Sequence, residues 1–172
     1  MTRWKSILLV LLAVFPLAAT TLEQLSLDQM VQRSTAIVRG KVLDSSSRLF
    51  GRVICTVYRV QVTENLKGTS PTVVEVAVPG GTHQGLRLTM PGTPKPVAGV
   101  EYVFFLWQGT TGTNVILGLS QGLFDIVKGT NGQTVLVRGA TGADFVDSQG
   151  HPVEDNGMQV TLRELTQKLG AK

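Results

Sequence analysis

The chain has 172 residues, a formal net charge of +4 and one cysteine, Cys55. A single cysteine excludes an intramolecular disulfide and any metal site built from several thiolates. The 16 Lys and Arg residues are scattered singly, without the runs typical of contacts with nucleic acid or an anionic membrane, so neither partner is expected. Cys55 lies among Val53, Ile54 and Val57, and this apolar setting predicts a buried, unreactive thiol.

The N-terminus has the pattern of a secretory leader. Arg3 and Lys5 precede an apolar or small run, residues 7–19, which is shorter than the roughly 20 residues that cross a bilayer. We therefore expect residues 1–19 to be a signal peptide cleaved after Ala19, with export to the periplasm or the extracellular space. No integral membrane segment is expected after processing, and residues 20–172 are long enough for one domain.

Two capping boxes predict helices near the two ends of the chain. Ser26 with Gln29 predicts a short helix over residues 27–33, and Thr161 with Glu164 predicts the start of a C-terminal helix. The apolar face of the second helix would consist of Leu162, Leu165 and Leu169.

Runs of β-branched and aromatic residues predict strands between the two helices. Serines 45–47 with Arg48 and Gly51 predict the turn before the longest run, which ends at Lys67-Gly68. Gln121-Gly122 predicts the turn of an antiparallel pair, and a further hairpin joins residues 145–146 to 152–153. The other predicted strands are residues 35–43, 52–68, 72–78, 86–90, 101–107, 115–119, 123–127 and 134–137.

The predicted strands far outnumber the helices and do not alternate with them, which disfavours a parallel α/β sheet. We expect a mainly β fold, a small antiparallel OB-like β-barrel with a short N-terminal helix and a C-terminal helix, formed as one domain by residues 20–172. The predicted core includes Ile37, Val38, Val60, Val62, Val76, Val103 and Phe105.

Residues 34–42, 58–68 and 99–106 follow one another as a strand, a strand that ends in Lys67-Gly68, and an apolar strand. This order resembles an uncharacterised family of exported bacterial proteins and, more distantly, the netrin-like modules and tissue inhibitors of metalloproteinases. The distant resemblance implies a five-stranded OB-type barrel with flanking helices. Those inhibitors chelate the protease zinc through an N-terminal cysteine, whereas the processed chain would begin at Thr20, so that mechanism does not carry over.

Residues 118–122 match the G-x-S-x-G pattern of a serine nucleophile, with Ser120 at its centre and His151 later in the chain. That nucleophile requires a helix directly after the serine, whereas residues 123–127 predict a strand. The context therefore favours a hairpin turn, and a serine hydrolase that uses Ser120 is the alternative function.

Other candidate sites lack a complete motif, so no cofactor and no transition metal are expected. Residues 80–85 have the glycine spacing of a phosphate loop, but Leu86 and Arg87 stand where a lysine and a hydroxyl are required. His83 and His151 share no local motif with each other or with the cysteine. An acidic stretch contains Asp144, Asp147, Glu154, Asp155 and Asn156. A calcium site there stays an open alternative, although the spacing of these residues differs from that of an EF-hand.

Segment 79–99 is the main candidate for binding, because long irregular segments in compact domains are commonly binding loops. The candidate contacts for an exported protein or peptide partner are His83, Arg87 and Lys95. The sequence therefore predicts an exported, non-catalytic binding module that acts through this segment. A purely structural envelope protein is a further alternative.

Overall fold

The computed structural model describes residues 21–110 and 112–170; the predicted leader and its cleavage site lie outside this range. Strands form 52% and helices 11% of the structure, which confirms the predicted mainly β class with two helices. Neither helix in the described part of the chain is long and apolar enough to cross a bilayer. In chain order the elements are β1 Thr21–Glu23, α1 Leu27–Arg33, β2 Ala36–Phe50, β3 Val53–Lys67, β4 Val73–Pro79, β5 Gly81–His83, β6 Leu86–Leu88, β7 Glu101–Gln108, β8 Asn114–Ile116, β9 Leu123–Lys128, β10 Thr134–Arg138, β11 Asp144–Val146, β12 Pro152–Val153, β13 Met158–Thr161 and α2 Leu162–Gly170.

Both predicted helix starts are confirmed. At α1 the Ser26 hydroxyl accepts a hydrogen bond from the Gln29 N–H, and the Gln29 side chain accepts one from the Ser26 N–H. At α2 the Thr161 hydroxyl accepts from the Glu164 N–H at 3.1 Å. Helix α1 is also held at its C-terminal end, where the Lys67 ammonium donates to backbone carbonyls of the last turn.

Eight strands form one sheet in the order β13, β10, β9, β7, β2, β3, β4, β8, and β2, β3 and β4 make the predicted meander. Strand β7 has β2 on one edge, while its other edge is divided between β9 in the first half and β8 in the second. Strand β8 also pairs in parallel with β4. The sheet as a whole is not closed into a barrel, so an OB-like barrel stays a prediction.

Strand β7 carries the two main hydrophobic cores on its two faces. Tyr102, Phe104 and Leu106 pack with Tyr58, Val60 and other residues of β2, β3 and β4 in the first core. The intervening residues of β7, Val103 and Phe105, pack with α1, α2, β9, β10 and β13 in the second core. This alternation follows from the two-residue period of a strand. All predicted core residues are buried except Val62, which is partly buried against the first core.

The structure corrects three predictions of local structure. Residues 45–48, expected in a turn, continue β2, because their polar side chains are tolerated where β2 is the exposed edge strand beside β3, and the chain turns only at Gly51-Arg52. Residues 81–83, expected in a glycine loop, pair as β5 with β6. Strands β8 and β9 do not pair with each other, since the compact turn between them sets both along β7.

Candidate functional site

Segment 79–99, which we call the crossing segment, connects the end of β4 to the start of β7. Backbone hydrogen bonds hold it at both ends: the Gly80 N–H donates to the Ile54 carbonyl, and the Gly99 N–H donates to the Val42 carbonyl, each at 2.8 Å. Between these ends the predicted irregular loop contains a short hairpin, formed by β5 and β6. The crossing segment is therefore a fixed part of the surface rather than a free linker.

The hairpin packs closely on the long β2–β3 ribbon. A Cβ atom at Gly81 would lie 2.6 Å from both the Ser47 and Thr56 hydroxyl oxygens, so only glycine permits this contact. The Thr56 hydroxyl also donates to the Gly80 carbonyl at 2.8 Å. Positive φ angles of 49° at Gln84 and 79° at Gly85 form the tight hairpin turn.

A pocket of about 490 Å³, which we call the Arg87 pocket, lies between this hairpin and the rest of the crossing segment. Its volume lies within the range of about 300–1,000 Å³ that is typical of ligand pockets. Its apolar lining includes Tyr58, Val78, Leu88 and Met90. Tyr58 belongs to the first core, and its pKa is raised by burial and by the neighbouring Tyr102.

Two of the three predicted contact residues, Arg87 and Lys95, line the Arg87 pocket. Both side chains are exposed, and neither forms an ion pair with any residue in the described part of the chain. No Asp or Glu lines this pocket. His83 does not line it: its Nδ1 lies 3.2 Å from the Ser47 carbonyl oxygen. The structure therefore brings Arg87 and Lys95 to one pocket and places His83 outside it.

A second pocket, of about 340 Å³, lies on the other side of residues 92–95, which line both pockets. We call it the Ser120 pocket. Its other walls come from the starts of β7 and β9, the end of β10 and the residues that follow β10. Gly92 sits where an added Cβ would lie 3.0 Å from the Ala143 Cβ, so the crossing segment is tightly packed here. The lining includes Lys95, Tyr102, Ser120, Asp125, Arg138 and Thr141.

The Ser120 pocket contains an arginine that is almost fully buried. The Arg138 guanidinium donates through both terminal nitrogens to the Asp155 carboxylate, at 3.0 and 2.9 Å, and the two side chains are 4% and 6% exposed. Burial by itself raises the pKa of Asp155, but hydrogen bonds from Arg138 and from the Thr141 and Gly157 N–H groups outweigh it. Together they lower the pKa of Asp155 from its ordinary value of 3.8 to about 2.

Ser120 occupies a turn and not a nucleophile elbow. The next element is strand β9, as the sequence predicts, and the Ser120 hydroxyl has no hydrogen-bond partner among the described residues. His151 does not line the Ser120 pocket; its side chain is 70% exposed, and its Nδ1 lies 3.2 Å from Asp147. The described residues therefore place no histidine base at Ser120.

Gln121, which follows Ser120 in the G-x-S-x-G motif, has a structural role. This side chain is 1% exposed; its oxygen accepts from the Leu25 N–H at 2.8 Å and its nitrogen donates to the Glu23 carbonyl at 2.9 Å. Gly118 leaves room for it, since a Cβ there would lie 2.9 Å from the Gln121 amide nitrogen. The turn thereby fixes the segment between β1 and α1.

Two residues of the acidic stretch, Asp147 and Asp155, make internal contacts. Asp155 is held by Arg138, and Asp147 accepts hydrogen bonds from the N–H groups of His151 and Gln149, which lower the pKa of Asp147. Within residues 21–110 and 112–170, no three His, Cys, Asp or Glu side chains form a group that could hold a metal ion. Cys55 is buried against Val57 and Ala77, and this burial raises the pKa of its thiol.

The sequence did not indicate that Thr56, Tyr58, Thr93 and Arg138 would line pockets beside the crossing segment. Arg138 ends an apolar run of β10 and precedes an acidic stretch, and this was the one local signal of a buried ion pair. Comparison of the chain with protein-family models, curated proteins and solved structures finds no match. The resemblance to netrin-like modules therefore stays a prediction.

We expect Asp155→Asn to lower the free energy of unfolding at pH 7 by about 3–5 kcal/mol, because it leaves the buried Arg138 charge without its partner. In the native chain, lowering the pKa of Asp155 from 3.8 to about 2 contributes roughly 2 kcal/mol to the free energy of unfolding at pH 7. That contribution is present above pH 3.8 and is lost as the pH falls toward 2. Urea unfolding at pH 7, 4 and 2.5 measures both effects.

The matched control is Asp144→Asn, because Asp144 is exposed on β11. This change should alter the free energy of unfolding by about 0.5 kcal/mol or less. Equal unfolding free energies for the two variants would contradict a stabilising Arg138–Asp155 pair.

Proposed function

We propose that the protein is an exported, non-catalytic module that binds an acidic peptide segment of an exported protein along the crossing segment. The observation that carries this proposal is the pair of exposed cations, Arg87 and Lys95, in one pocket whose lining has no carboxylate. In contrast, Arg33, Arg39, Arg48, Arg59 and Arg138 each form an ion pair within the protein. The Arg87 pocket thus offers two charges to an external anionic group.

The shape and walls of the site favour a peptide over a compact anion. The Arg87 and Ser120 pockets share residues 92–95, so an elongated ligand would contact both. Apolar side chains such as Tyr58, Leu88 and Met90 would bury the aliphatic parts of a peptide, while the cations bind its carboxylates. Prolines at positions 91, 94 and 96 limit the conformational entropy lost when a partner binds.

We propose export on the basis of the leader-like residues 1–19. An N-terminus at Thr20 in protein taken from the exported fraction of the host, rather than Met1 in the cytoplasm, is the measurement that decides this.

We also propose that β2, β3, β4, β8 and β7 form an OB-like arrangement. The support is the pattern of pairings, since β8 pairs with both β4 and β7, and β7 pairs with β2. In such an arrangement the crossing segment lies at one end of the first core, where OB folds bind ligands through their loops. Slow hydrogen exchange of the backbone amides in β8 and in the β4 and β7 residues paired with it would agree with this arrangement. Rapid exchange of these amides would contradict it.

The charge requirement can be tested with N-acetylated, C-amidated hexapeptides that carry two glutamates, matched with the same peptides carrying two glutamines. We expect the glutamate peptides to bind more tightly and the double variant Arg87→Glu/Lys95→Glu to lose that preference. The loss should be roughly 10- to 100-fold in Kd, because each charge-assisted hydrogen bond contributes about 1.5–3 kcal/mol before solvent screening. Fluorescence polarisation at 50 and 300 mM salt measures the preference and its salt dependence.

The control variant is Arg163→Glu, which reverses an exposed charge on α2, away from the lining of both pockets. It should bind the glutamate peptides as the native protein does. Equal binding of glutamate and glutamine peptides by the native protein would overturn the proposed function.

The non-catalytic assignment predicts that a fluorophosphonate probe does not label the native protein. The described residues place no histidine base beside the Ser120 hydroxyl, because His151 contacts Asp147 and does not line this pocket. A known serine hydrolase in the same assay shows that the probe is active. Labelling that Ser120→Ala abolishes would instead establish the hydrolase alternative.

A further inference from the structure

The Ser120 pocket concentrates the buried polar atoms that lack a partner in the protein. In the described part of the chain four side-chain N or O atoms are buried without a hydrogen bond to another protein group, and three of them belong to residues that line this pocket. They are Thr93 Oγ1, Ser120 Oγ and Arg138 Nε. Buried polar groups are normally paired, and each unpaired one is unfavourable. Three at one pocket indicate a place where a ligand supplies the missing partner.

The chemistry of these atoms selects an acceptor-rich group. Arg138 Nε–H is a donor only, and its other two nitrogens are already bound to Asp155. The hydroxyls of Thr93 and Ser120 can also donate, and rotation about one side-chain torsion redirects each of them. A carboxylate has two oxygens with about four acceptor sites, enough for all three donors.

The charges around the pocket are compatible with an anion. Lys95 lines the pocket and forms no ion pair in the described structure, so its charge is available to a ligand. Asp125 also lines the pocket, but it is exposed, so its charge is solvated. Arg138 and Asp155 neutralise each other, which leaves the Nε–H as a directional donor.

We propose that the Ser120 pocket binds the C-terminal carboxylate of the peptide whose acidic side chain lies in the Arg87 pocket. The inference rests on the proposed function and adds the direction of the bound peptide and the requirement for a free end. Continuity supports it, because residues 92–95 line both pockets and Thr93 and Lys95 are common to them. Capture of a terminal carboxylate is a recurring mode of peptide recognition.

The test uses a minimal probe, N-acetylglycylglycine, and its C-terminal amide. Each is titrated into ¹⁵N-labelled protein beginning at Thr20, and the backbone amide signals are followed by NMR. We expect the free acid to shift the signals of Thr93, Ser120 and Arg138 with a Kd on the order of 1 mM, the value expected for so small a ligand. The amide should bind at least about tenfold more weakly, since it replaces an acceptor oxygen with a donor.

The double variant Thr93→Val/Ser120→Ala should lose the preference for the free acid. Its fold should be retained, because the change removes hydroxyls that have no partner in the protein. The control is Ser148→Ala, which removes an exposed hydroxyl from the β11–β12 turn and should leave the preference unchanged. Equal signal shifts with the acid and the amide would overturn the inference. So would the absence of shifts at Thr93, Ser120 and Arg138 when the concentration of the free acid is well above 1 mM.

The outcome is distinguishable from failure of the proposed function. If amidated glutamate hexapeptides bind through Arg87 and Lys95 but a free C-terminus adds no affinity, the inference fails and the proposed function stands. If the free acid shifts the Ser120 pocket but glutamates add no affinity, terminal capture stands and the acidic-peptide function fails.

Discussion

Burial of β7 on both faces is the constraint on which the rest of the structure depends. Phe104 and Phe105 are both fully buried, although they point to opposite sides of the strand. A strand of this kind needs a separate hydrophobic layer on each side. The β2–β3–β4 meander supplies one layer, and the two helices with β9, β10 and β13 supply the other. The second edge of β7 is shared, with β9 along its first half and β8 along its second half.

This arrangement determines the position of the crossing segment. Strand β4 ends and β7 begins around the first core, so the chain between them must pass beside Tyr58 and Tyr102. Backbone hydrogen bonds hold both ends of the segment, and Gly81 and Gly92 allow its close approach to the strands and to the region around Ala143. The remaining surface of the segment forms the wall between the two pockets.

Polar side chains in this protein fall into two groups. Lys67, Gln121 and Asp155 each make several internal hydrogen bonds that join segments distant in the chain. Such buried or half-buried contacts stabilise one arrangement of the loops and helices. Arg87 and Lys95 instead leave their charges available beside the crossing segment. The difference between satisfied and available polar groups, more than any sequence motif, distinguishes the candidate site from the scaffold.

The sequence by itself determined the features that depend on neighbouring residues. Helix α1, strands β3, β4, β7 and β10, and the β11–β12 hairpin follow from capping residues, side-chain alternation and turn residues. It also indicated Arg87 and Lys95, because both lie in one long segment between strands. The two short strands β1 and β13 carried too little pattern to be found.

Only the tertiary structure decided which strand edges pair and which side chains meet. Strand β8 pairs with β4 and β7 and not with β9, and a strand's local pattern does not say which neighbour will occupy its edge. Ser120, Thr93 and Arg138 meet at one pocket although they are far apart in the chain. His83 was separated from Arg87 because Arg87 pairs with Thr82 across the hairpin, and His83, the residue next to Thr82, points to the opposite face. Long-range packing, which leaves no local periodicity in the sequence, made these choices.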